Sequence, residues 1–425
     1  MEWPLFLYRL LLPIYFVTAA PGWWLKMIRR GGRDSGLGER FGVYDRDIEF
    51  EPCGEVHVHA VSVGESMLAL KLIRAWRQRE PGRRFVLAVA TATGKQVADD
   101  FSPEGVRVVY QPVDFRSLVR RYLDRFEPSQ IVLVEGEMWP HLMIEASRRK
   151  IPVRLVNARM SPRSRRRYEA LAPVVRPIFK HLDAVALQEE GDAPIWSTLG
   201  VEPGRVRVTG SLKFDPGSRR GQDRDERFRR MVEALHEGRP VIMAASTHAG
   251  EEQNLALAIA EAGGFPVIVP RHAERRAEVR DGLMKSGFNV VMRSDFHVPD
   301  GGNRKVLVVD STGELRSWIS EAVVVVIGKS FLAVGGQNPA EAIESGKAVV
   351  FGPHMENFEP LATRLVEQGG AVRADLAELA GVLRELLADS DRRRQMENSG
   401  RVVLSRHEGA VQRIMDLLGA GQIGV

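Results

Sequence analysis

The stretch GGQNPAEA, residues 335–342, combines a glycine-rich loop, a helix start and an early carboxylate. Gly335 and Gly336 would let the backbone approach a ligand closely. A helix that begins near Pro339 would favour negative charge at its amino terminus. Glu341 has the same sign of charge as a phosphate and would repel it. We therefore expect backbone N–H groups to bind phosphate and Glu341 to bind a neutral diol such as a ribose.

Other polar residues of the second half follow apolar, β-rich runs. Arg271 and His272 end the run FPVIVPRH. Arginine binds phosphate through paired hydrogen bonds, so Arg271 is a candidate phosphate clamp. A lone histidine is more often structural than catalytic, and this holds for His272 and His248. The other candidates at the ends of these runs are Ser246, Thr247, Lys329 and Ser330.

The first half carries paired carboxylates in EGEMWP, at Glu135 and Glu137. Carboxylates at the end of a strand can take protons, hold sugar hydroxyls or stabilise a cationic transition state. The alternative is that one of the two forms a structural pair with an arginine of NARMSPRSRRRY, which begins at Asn157.

Two further segments of the first half, AVSVGES and TATGK, lie where a strand gives way to a helix. Such helix starts offer free N–H groups and a favourable dipole to an anion. Simple helix capping explains the same residues equally well. The residues concerned are Ser62, Gly64, Glu65, Thr93 and Gly94.

Apolar strands alternate with helical stretches along the chain, which is typical of a parallel sheet covered on both faces. Seven β-rich runs lie between residues 56 and 210, and six more lie between 240 and 353. The sequence therefore predicts an α/β protein with two Rossmann-like, doubly wound domains facing a cleft. Ligands of such sheets bind beyond the carboxyl ends of the strands, where the candidate residues lie.

Composition narrows the possible classes of protein. The chain has 425 residues, 44% hydrophobic and 27% charged, which is typical of a globular body with two domains. One cysteine, Cys53, excludes a disulfide framework and a multi-cysteine metal site. The two D-x-D patterns, at residues 45–47 and 223–225, lie in charged connectors, so we expect no metal and no cofactor.

The amino terminus is apolar from Trp3 to Leu25, with Arg9 as its one charge. Its length would span a bilayer, but Pro13 and Pro21 interrupt it. Aromatic residues lie at both ends of this stretch and basic residues follow it, which favours a cytoplasmic carboxyl-terminal flank. We expect residues 1–30 to form a membrane anchor, monotopic or single-span, with a buried amino-terminal helix as the alternative.

The expected domains follow from these elements. Residues 31–215 would form the amino-terminal domain, and residues 216–425 the carboxyl-terminal domain. The charged, glycine- and proline-containing stretch that starts at Asp215 marks the linker. The last helix can pack back on the amino-terminal domain.

Taken together, the motifs resemble those of the 3-deoxy-D-manno-octulosonic acid (Kdo) transferase family over nearly the whole chain. The whole set of motifs, in this order along the chain, is more specific than any single motif. It comprises GERFG at Gly38, HAVSVGE at His59, EGEMWP at Glu135, NARMSPRS at Asn157, GSLKFD at Gly210, ASTHAGEE at Ala245, VPRH at Val269, STGEL at Ser311, and GGQNPAEA with FGPH.

The resemblance implies a metal-independent, inverting GT-B glycosyltransferase on the cytoplasmic face of the inner membrane. It would move Kdo from CMP-Kdo to a lipid A precursor, lipid IVA, and would have inner-membrane lipids but no nucleic acid as partners. Glu39 would be the general base, and Glu135 or Glu137 with Lys213 would stabilise the transition state. The implied CMP-binding residues are Pro270, Arg271, His272, Thr312, Gly313, Glu314, Asn338, Pro339, Ala340 and Glu341.

Three positions depart from the family pattern. Gly136 separates the two carboxylates, Gln337 replaces a histidine, and Lys329 replaces a glycine before Ser330. Lys329 adds a positive charge that can contact phosphate or the Kdo carboxylate. These changes bear on donor recognition more than on the class of enzyme.

Two alternatives remain open from the residues. One is a different GT-B protein, either a transferase that uses a UDP-sugar or a UDP-sugar 2-epimerase, because ribose and phosphate contacts do not reveal the base. The other is a membrane-bound nucleotide-sugar binder without activity. A general base at Glu39 together with Lys213 speaks against the binder, since binding alone needs no base.

Overall fold

The computed structural model describes residues 6, 8–18, 22, 36–44, 54–136, 138–215, 225–299 and 304–419. The chain forms two compact units. The first unit comprises Met1–Asp215 and His407–Val425, and the second comprises Pro216–Arg406. The last helix of the chain is therefore part of the first unit.

The first unit is a parallel sheet with helices around it. Its strands are β1 (Val56–Ala60), β2 (Phe85–Val89), β3 (Val106–Tyr110), β4 (Gln130–Val134), β5 (Val153–Ala158), β6 (Ala184–Leu187) and β7 (Val206–Val208). Its helices are α1 (residues 8–18), α2 (Leu37–Arg40), α3 (Val63–Arg79), α4 (Ala92–Phe101), α5 (Arg116–Phe126), α6 (Pro140–Arg148), α7 (Pro162–Ala170), α8 (Ala172–Phe179), α9 (Ala193–Thr198) and, at the end of the chain, α18 (Ala410–Gly419).

The second unit repeats the plan. Its strands are β8 (Val241–Thr247), β9 (Phe265–Pro270), β10 (Asn289–Met292), β11 (Lys305–Val308), β12 (Val324–Ile327), β13 (Ala348–Phe351) and β14 (Val372–Arg373). Its helices are α10 (Glu226–Glu233), α11 (Glu252–Glu261), α12 (Arg276–Lys285), α13 (Leu315–Ser320), α14 (Ala340–Glu344), α15 (Leu361–Glu367), α16 (Leu379–Ala388) and α17 (Ser390–Ser405).

Both sheets are wholly parallel, and their strand orders share one feature. The first sheet runs β3-β2-β1-β4-β5-β6-β7, and the second runs β10-β11-β9-β8-β12-β13-β14. In each sheet the winding reverses between two central neighbours, β1 and β4 or β8 and β12. Loops diverge at such a point and leave a crevice beyond the strand ends, where ligands of open α/β sheets bind.

The thirteen strands expected from the sequence are confirmed, and so is the prediction of two parallel α/β sheets. The central strands are buried on both faces; Val58, for example, lies between Leu87 and Val132 and has no exposed surface. Continuous burial explains why these runs are apolar throughout rather than alternating. The short strand β14 had no such signal, because Val372 and Arg373 pair with β13 at the edge of the second sheet.

Strand β1 buries two histidines on the face opposite its valines. The Tyr122 hydroxyl lies 2.5 Å from His57 Nδ1 and 3.3 Å from His59 Nε2. Burial lowers the pKa of both imidazoles, to about 4 for His59. The two rings are therefore neutral at physiological pH and serve to tie β1 to helix α5.

Helix α1 packs on the first unit along one side. The Tyr8 hydroxyl donates a hydrogen bond to Asp114 Oδ2 (2.8 Å), and Phe16 makes edge-to-face contacts with Phe41 and Phe115. Asp114 also accepts the N–H groups of residues 141 and 142, which open helix α6. The other side of this segment is exposed at Phe6, Leu10, Leu11, Ile14, Tyr15 and Val17.

Within the described residues, no helix combines the length and the apolarity needed to cross a bilayer. Much of the expected anchor lies outside the described residues, at 1–5, 7, 19–21 and 23–30. The single-span form of the anchor is thus unconfirmed.

We expect Tyr8→Phe to loosen α1. The change removes one hydrogen bond and keeps the ring, so the cost should be about 1 kcal/mol. Hydrogen–deuterium exchange of residues 8–18 should become faster. Tyr15→Phe is the control, because the Tyr15 side chain is 69% exposed and its removal should leave exchange unchanged. Equal exchange rates in the two variants would contradict the docking role of Tyr8.

Candidate functional site

Glu135 lies at the reversal point of the first sheet, directly after β4. Its backbone is left-handed, with φ 67°. This conformation costs about 1–2 kcal/mol for a residue other than glycine. The Glu135 N–H donates to the Val156 carbonyl (2.9 Å), and the side-chain amide of Asn157 donates to Glu135 Oε1 (3.4 Å). Neighbouring strand β5 thus holds both the backbone and the carboxylate.

Asn157 joins this carboxylate to the turn that carries Lys213. It is fully buried and also left-handed, with φ 56°. Its Oδ1 accepts the Leu212 N–H (2.8 Å), and its carbonyl accepts the side-chain amide of Gln188 (2.7 Å). Because one side chain bonds to both Glu135 and Leu212, their relative position is fixed.

Charge couples four residues in this region. Burial raises the pKa of Glu135, while Arg159 opposes that shift and Glu65 adds to it. Burial of its amino group, with Arg159 nearby, lowers the pKa of Lys213 to about 8, while Glu135 opposes that shift. We call Glu65, Glu135, Asn157, Arg159 and Lys213 the charged cluster. It presents both signs of charge beyond the strand ends.

Some residues of the first sheet's carboxyl edge act as helix caps. Ser62 accepts the Glu65 N–H (3.2 Å) at the start of α3, and the Glu65 carboxylate accepts the Val61 N–H (2.8 Å) and the Ser62 hydroxyl (2.8 Å). Thr91 accepts the Gly94 N–H (3.1 Å) at the start of α4. Gly64 and Thr93 are exposed beside these caps. The capping interpretation therefore accounts for the hydrogen bonds seen here.

Glu39 lies apart from the charged cluster. It is on α2, and its Oε2 accepts the N–H of Tyr110, the last residue of β3 (2.7 Å). Strand β3 is three strands from β4, a separation of about 14 Å at the usual strand spacing. Arg40 stacks on the Tyr110 ring at 4.0 Å. Glu39 and Glu135 thus lie at the carboxyl edge of the same sheet without direct contact. Glu137, the other predicted carboxylate, lies outside the described residues.

In the second unit, Glu251 bridges the two central strands at the reversal point. Its Oε1 accepts the N–H groups of His248, after β8, and of Lys329, after β12, at 2.7 and 2.5 Å. Glu251 is 1% exposed, and burial raises its pKa while these hydrogen bonds lower it. Ser246 and Lys329 are both left-handed, with φ 57° and 56°.

The segment Lys329–Ser330 connects the predicted phosphate loop to the strand ends. The Lys329 carbonyl accepts the Gly336 N–H (3.0 Å), and the Ser330 hydroxyl oxygen accepts the Gly352 N–H (2.8 Å). The Ser330 carbonyl accepts the His354 N–H (3.0 Å). The motifs IGKSF, GGQNP and FGPH are thus bonded into one backbone framework.

The opening stretch adopts the expected loop and helix. Gly335 and Gly336 have φ 115° and 67°, and a side chain at Gly336 would collide with Met355 and the His354 carbonyl. Asn338 Oδ1 accepts the Ala340 N–H (3.1 Å) at the start of α14. Pro339 is the residue before this helix, and Glu341 lies in its first turn, half-buried.

The remaining predicted donor residues lie at neighbouring strand ends. Pro270 ends β9, and Arg271 and His272 are exposed just beyond it; the Arg271 N–H donates to the Thr247 carbonyl (3.0 Å). Thr312 and Gly313 are exposed after β11. Glu314 forms an ion pair with Arg293 (2.6 Å) and accepts the Ser311 hydroxyl, so its carboxylate already has partners within the fold.

Sequence reasoning did not single out three members of these groups: Asn157, Arg159 and Glu251. All three stand in motifs that were recognised, NARMSPRS and ASTHAGEE. The alternative that Glu135 or Glu137 pairs with an arginine of NARMSPRSRRRY did name the segment of Arg159, whose charge acts on Glu135. What could have revealed the three residues is that their strands lie next to strands that carry predicted site residues: β5 lies beside β4, and β8 lies beside β12. Knowing which strands are adjacent requires the strand order of the sheet, and the alternation of strands and helices along the sequence does not specify that order.

The fold resembles that of nucleotide-sugar enzymes. UDP-GlcNAc 2-epimerase from Neisseria meningitidis, bound to UDP-GlcNAc, matches with a TM-score of 0.56 at 13% identity, over 86% of this chain and 99% of that one. A putative UDP-N-acetylglucosamine 2-epimerase from Listeria monocytogenes gives 0.57 at 13% identity, over 87% and 96%. These likenesses define the class of fold, two GT-B-like α/β units.

Sequence comparison then identifies the family. A family model for 3-deoxy-D-manno-octulosonic-acid transferase (kdotransferase) matches residues 35–216. The Haemophilus influenzae 3-deoxy-D-manno-octulosonic acid transferase is 31% identical over 90% of each chain, and that of Bordetella pertussis is 34% identical over 94% of this chain and 96% of its own. The chain belongs to this family and is a glycosyltransferase.

We expect the variant Lys329→Gly to distinguish the effect of backbone strain on stability from the effect of the lysine side chain on ligand binding. Glycine relieves the left-handed backbone, so the free energy of unfolding should not fall. Loss of the ammonium should weaken CMP binding at least about tenfold if Lys329 contacts the phosphate. Calorimetric titration with CMP and thermal melting measure the two effects.

Lys150→Gly is the matched control. Lys150 is also a left-handed lysine, with φ 58°, but it lies in an exposed turn after α6 of the first unit. Its replacement should change stability in the same direction and leave CMP affinity unaltered. Equal CMP affinity in wild type and Lys329→Gly would remove Lys329 from the nucleotide site.

Proposed function

We propose that this chain transfers Kdo from CMP-Kdo to a lipid A precursor, lipid IVA, with inversion at the anomeric carbon and without a metal ion. Membership of the Kdo transferase family supports the sugar and the pathway of lipopolysaccharide synthesis. The observation that carries the proposal is the charged cluster at the reversal point of the first sheet. The cluster contains a carboxylate, an amine and a guanidinium, and these groups would suit the reaction of a charged sugar.

The cluster has the chemistry that this transfer needs. Breaking the bond between the sugar and CMP leaves positive charge on the sugar ring and negative charge on the departing phosphate. Glu135 would stabilise the ring cation, and Lys213 and Arg159 would bind anionic oxygens of the donor. Two cationic side chains supply charge that a metal ion supplies in other enzymes.

Glu39 would act as the general base. The acceptor hydroxyl gives its proton to the Glu39 carboxylate while its oxygen forms a bond to the anomeric carbon from the face opposite the phosphate. The bond from that carbon to the phosphate oxygen breaks, and CMP leaves with the electron pair. The Tyr110 N–H orients the base by binding Oε2.

The second unit would bind the CMP part of the donor. The Lys329 ammonium would meet the phosphate, and Arg271 would add a second cation. The N–H groups of Gly335 and Gly336 are not part of this proposal, because they already donate to the Glu356 carboxylate (2.7 Å) and to the Lys329 carbonyl (3.0 Å). Glu341 would accept hydrogen bonds from the ribose hydroxyls, as a carboxylate near a helix start favours a neutral diol.

We also infer that α1 attaches the catalytic body to the cytoplasmic face of the inner membrane. A helix that lies in the interface buries one apolar face in lipid and packs or solvates the other. Its Tyr8 and Phe16 side packs on protein, whereas Leu11, Ile14 and Val17 are exposed by 50%, 56% and 70%. A lipid acceptor would enter from the same surface.

The direct test is an assay with purified full-length protein, CMP-Kdo and lipid IVA. We expect CMP release with a matching gain in lipid mass, and no loss when EDTA is added. Glu39→Gln should bind CMP normally but lose turnover by at least about a hundredfold. Glu104→Gln, an exposed carboxylate before β3 at the opposite edge of the sheet, should remain active.

Several outcomes would contradict the proposal. Transfer from a UDP-sugar in place of CMP-Kdo would favour the alternative GT-B transferase. CMP binding without product would favour a binding protein. Full activity of Glu39→Gln would exclude it as the base.

Membrane attachment is tested by co-sedimentation with vesicles of phosphatidylethanolamine and phosphatidylglycerol. The double variant Leu11→Glu, Ile14→Glu should reduce binding at least about tenfold, because two buried apolar contacts are replaced by charges. Met284→Glu, a 58% exposed apolar residue of the second unit, is the control and should sediment like wild type. Unchanged binding of the double variant would contradict attachment through α1.

A further inference from the structure

The turn that carries Lys213 is bonded to the end of the chain. The Ser211 N–H donates to His407 Nδ1 (3.1 Å), and both residues are 1% exposed. The Phe214 ring lies 5.3 Å from the His407 ring. A ring nitrogen accepts a hydrogen bond only when it carries no proton, so His407 has its Nδ1 unprotonated.

The other end of the same turn is fixed as well. The Asp215 carboxylate accepts the Gly409 N–H (3.2 Å) and the Val411 N–H (2.7 Å), which open helix α18. From the opposite side, Lys71 Nζ donates to the Leu212 carbonyl (2.7 Å) and to the Asp215 carbonyl. The turn 211–215 is thus held at both ends and from two directions.

The carboxyl-terminal segment is itself anchored in the core of the first unit. Ile414, Met415 and Leu418 pack in the same buried cluster as Leu212. The Arg154 guanidinium donates to the Leu418 carbonyl (2.9 Å). Movement of residues 407–419 would therefore have to break core contacts, which makes the segment a rigid support.

We propose that His407 is a positioning residue that sets the place of Lys213 in the charged cluster. Lys213 lies between two fixed points, Ser211 and Asp215, and its own N–H donates to Ser211 Oγ (3.3 Å). His407 lies outside the motifs quoted in the sequence analysis, and it acts through the backbone of Ser211. Its effect on catalysis rests on the proposed role of Lys213, whereas its effect on the position of Lys213 does not.

The surroundings of Lys213 supply a reporter of its position. Two charged groups act on its pKa: Arg159 favours the neutral amine, and Glu135 favours the ammonium. Because the amine is partly desolvated beside Arg159, its pKa lies at about 8 instead of the usual 10.5. A turn released from His407 would let the amine move into solvent, and its pKa would rise.

The test measures the pKa of Lys213 by NMR of the full-length protein after reductive ¹³C-methylation, with the resonance assigned by its absence in Lys213→Arg. His407→Ala should raise this pKa by about one unit or more toward the solvent value. His407→Asn keeps an oxygen that can accept the Ser211 N–H and should retain a pKa close to wild type.

Activity gives the second readout. If the ammonium is the active form, turnover falls as pH rises through about 8 in wild type. This alkaline limb of the pH–rate profile should move to higher pH in His407→Ala but not in His407→Asn. A mere loss of stability would lower the active fraction at every pH without moving the limb.

An unchanged Lys213 pKa in His407→Ala would overturn the inference. Should that variant fail to fold, Asp215→Asn loosens the other end of the turn and should raise the pKa in the same direction; a pKa at the wild-type value there would overturn the inference too. A shifted pKa in an enzyme that does not need Lys213 would leave the inference standing and refute the proposed role of Lys213 in catalysis.

Discussion

Both units depend on one topological constraint: the winding of each parallel sheet reverses between two adjacent central strands. The connections on the two sides of that point run in opposite directions, so the loops after β1 and β4, or after β8 and β12, diverge and leave a crevice beyond the strand ends. Some of the left-handed backbone of the described residues lies there. Glu135, Ser246 and Lys329 are left-handed at these ends, and such strain persists only where surrounding contacts hold it.

Carboxylates at these points have two different tasks. Glu65 and Glu251 accept backbone N–H groups near the reversal points and so hold the loops there in place. Glu135 is oriented by Asn157 and has a raised pKa, and it belongs to a group with Lys213 and Arg159. In each unit one carboxylate thus holds a loop in place, and in the proposed function Glu135 would add chemistry in the first unit.

Local patterns in the sequence predicted much of the fold, because apolar strands, caps and glycine turns are local features. They predicted β1 to β13 and the glycine loop before α14. They did not reveal Asn157, Glu251 or His407 as members of the site, since each acts on residues that are distant along the chain. His407 lies 196 positions from Ser211, and only the folded core brings them together. The separation of Glu39 from Glu135 also depended on the strand order, which puts β3 at the edge.

The central claim is that the reversal point of the second sheet receives the nucleotide of the donor. Hydrogen–deuterium exchange of the full-length protein with and without saturating CMP tests it most directly. The account predicts slower exchange in residues 246–252 and 328–341. Protection confined to the strand ends of the first sheet, with no change after β8 and β12, would contradict it.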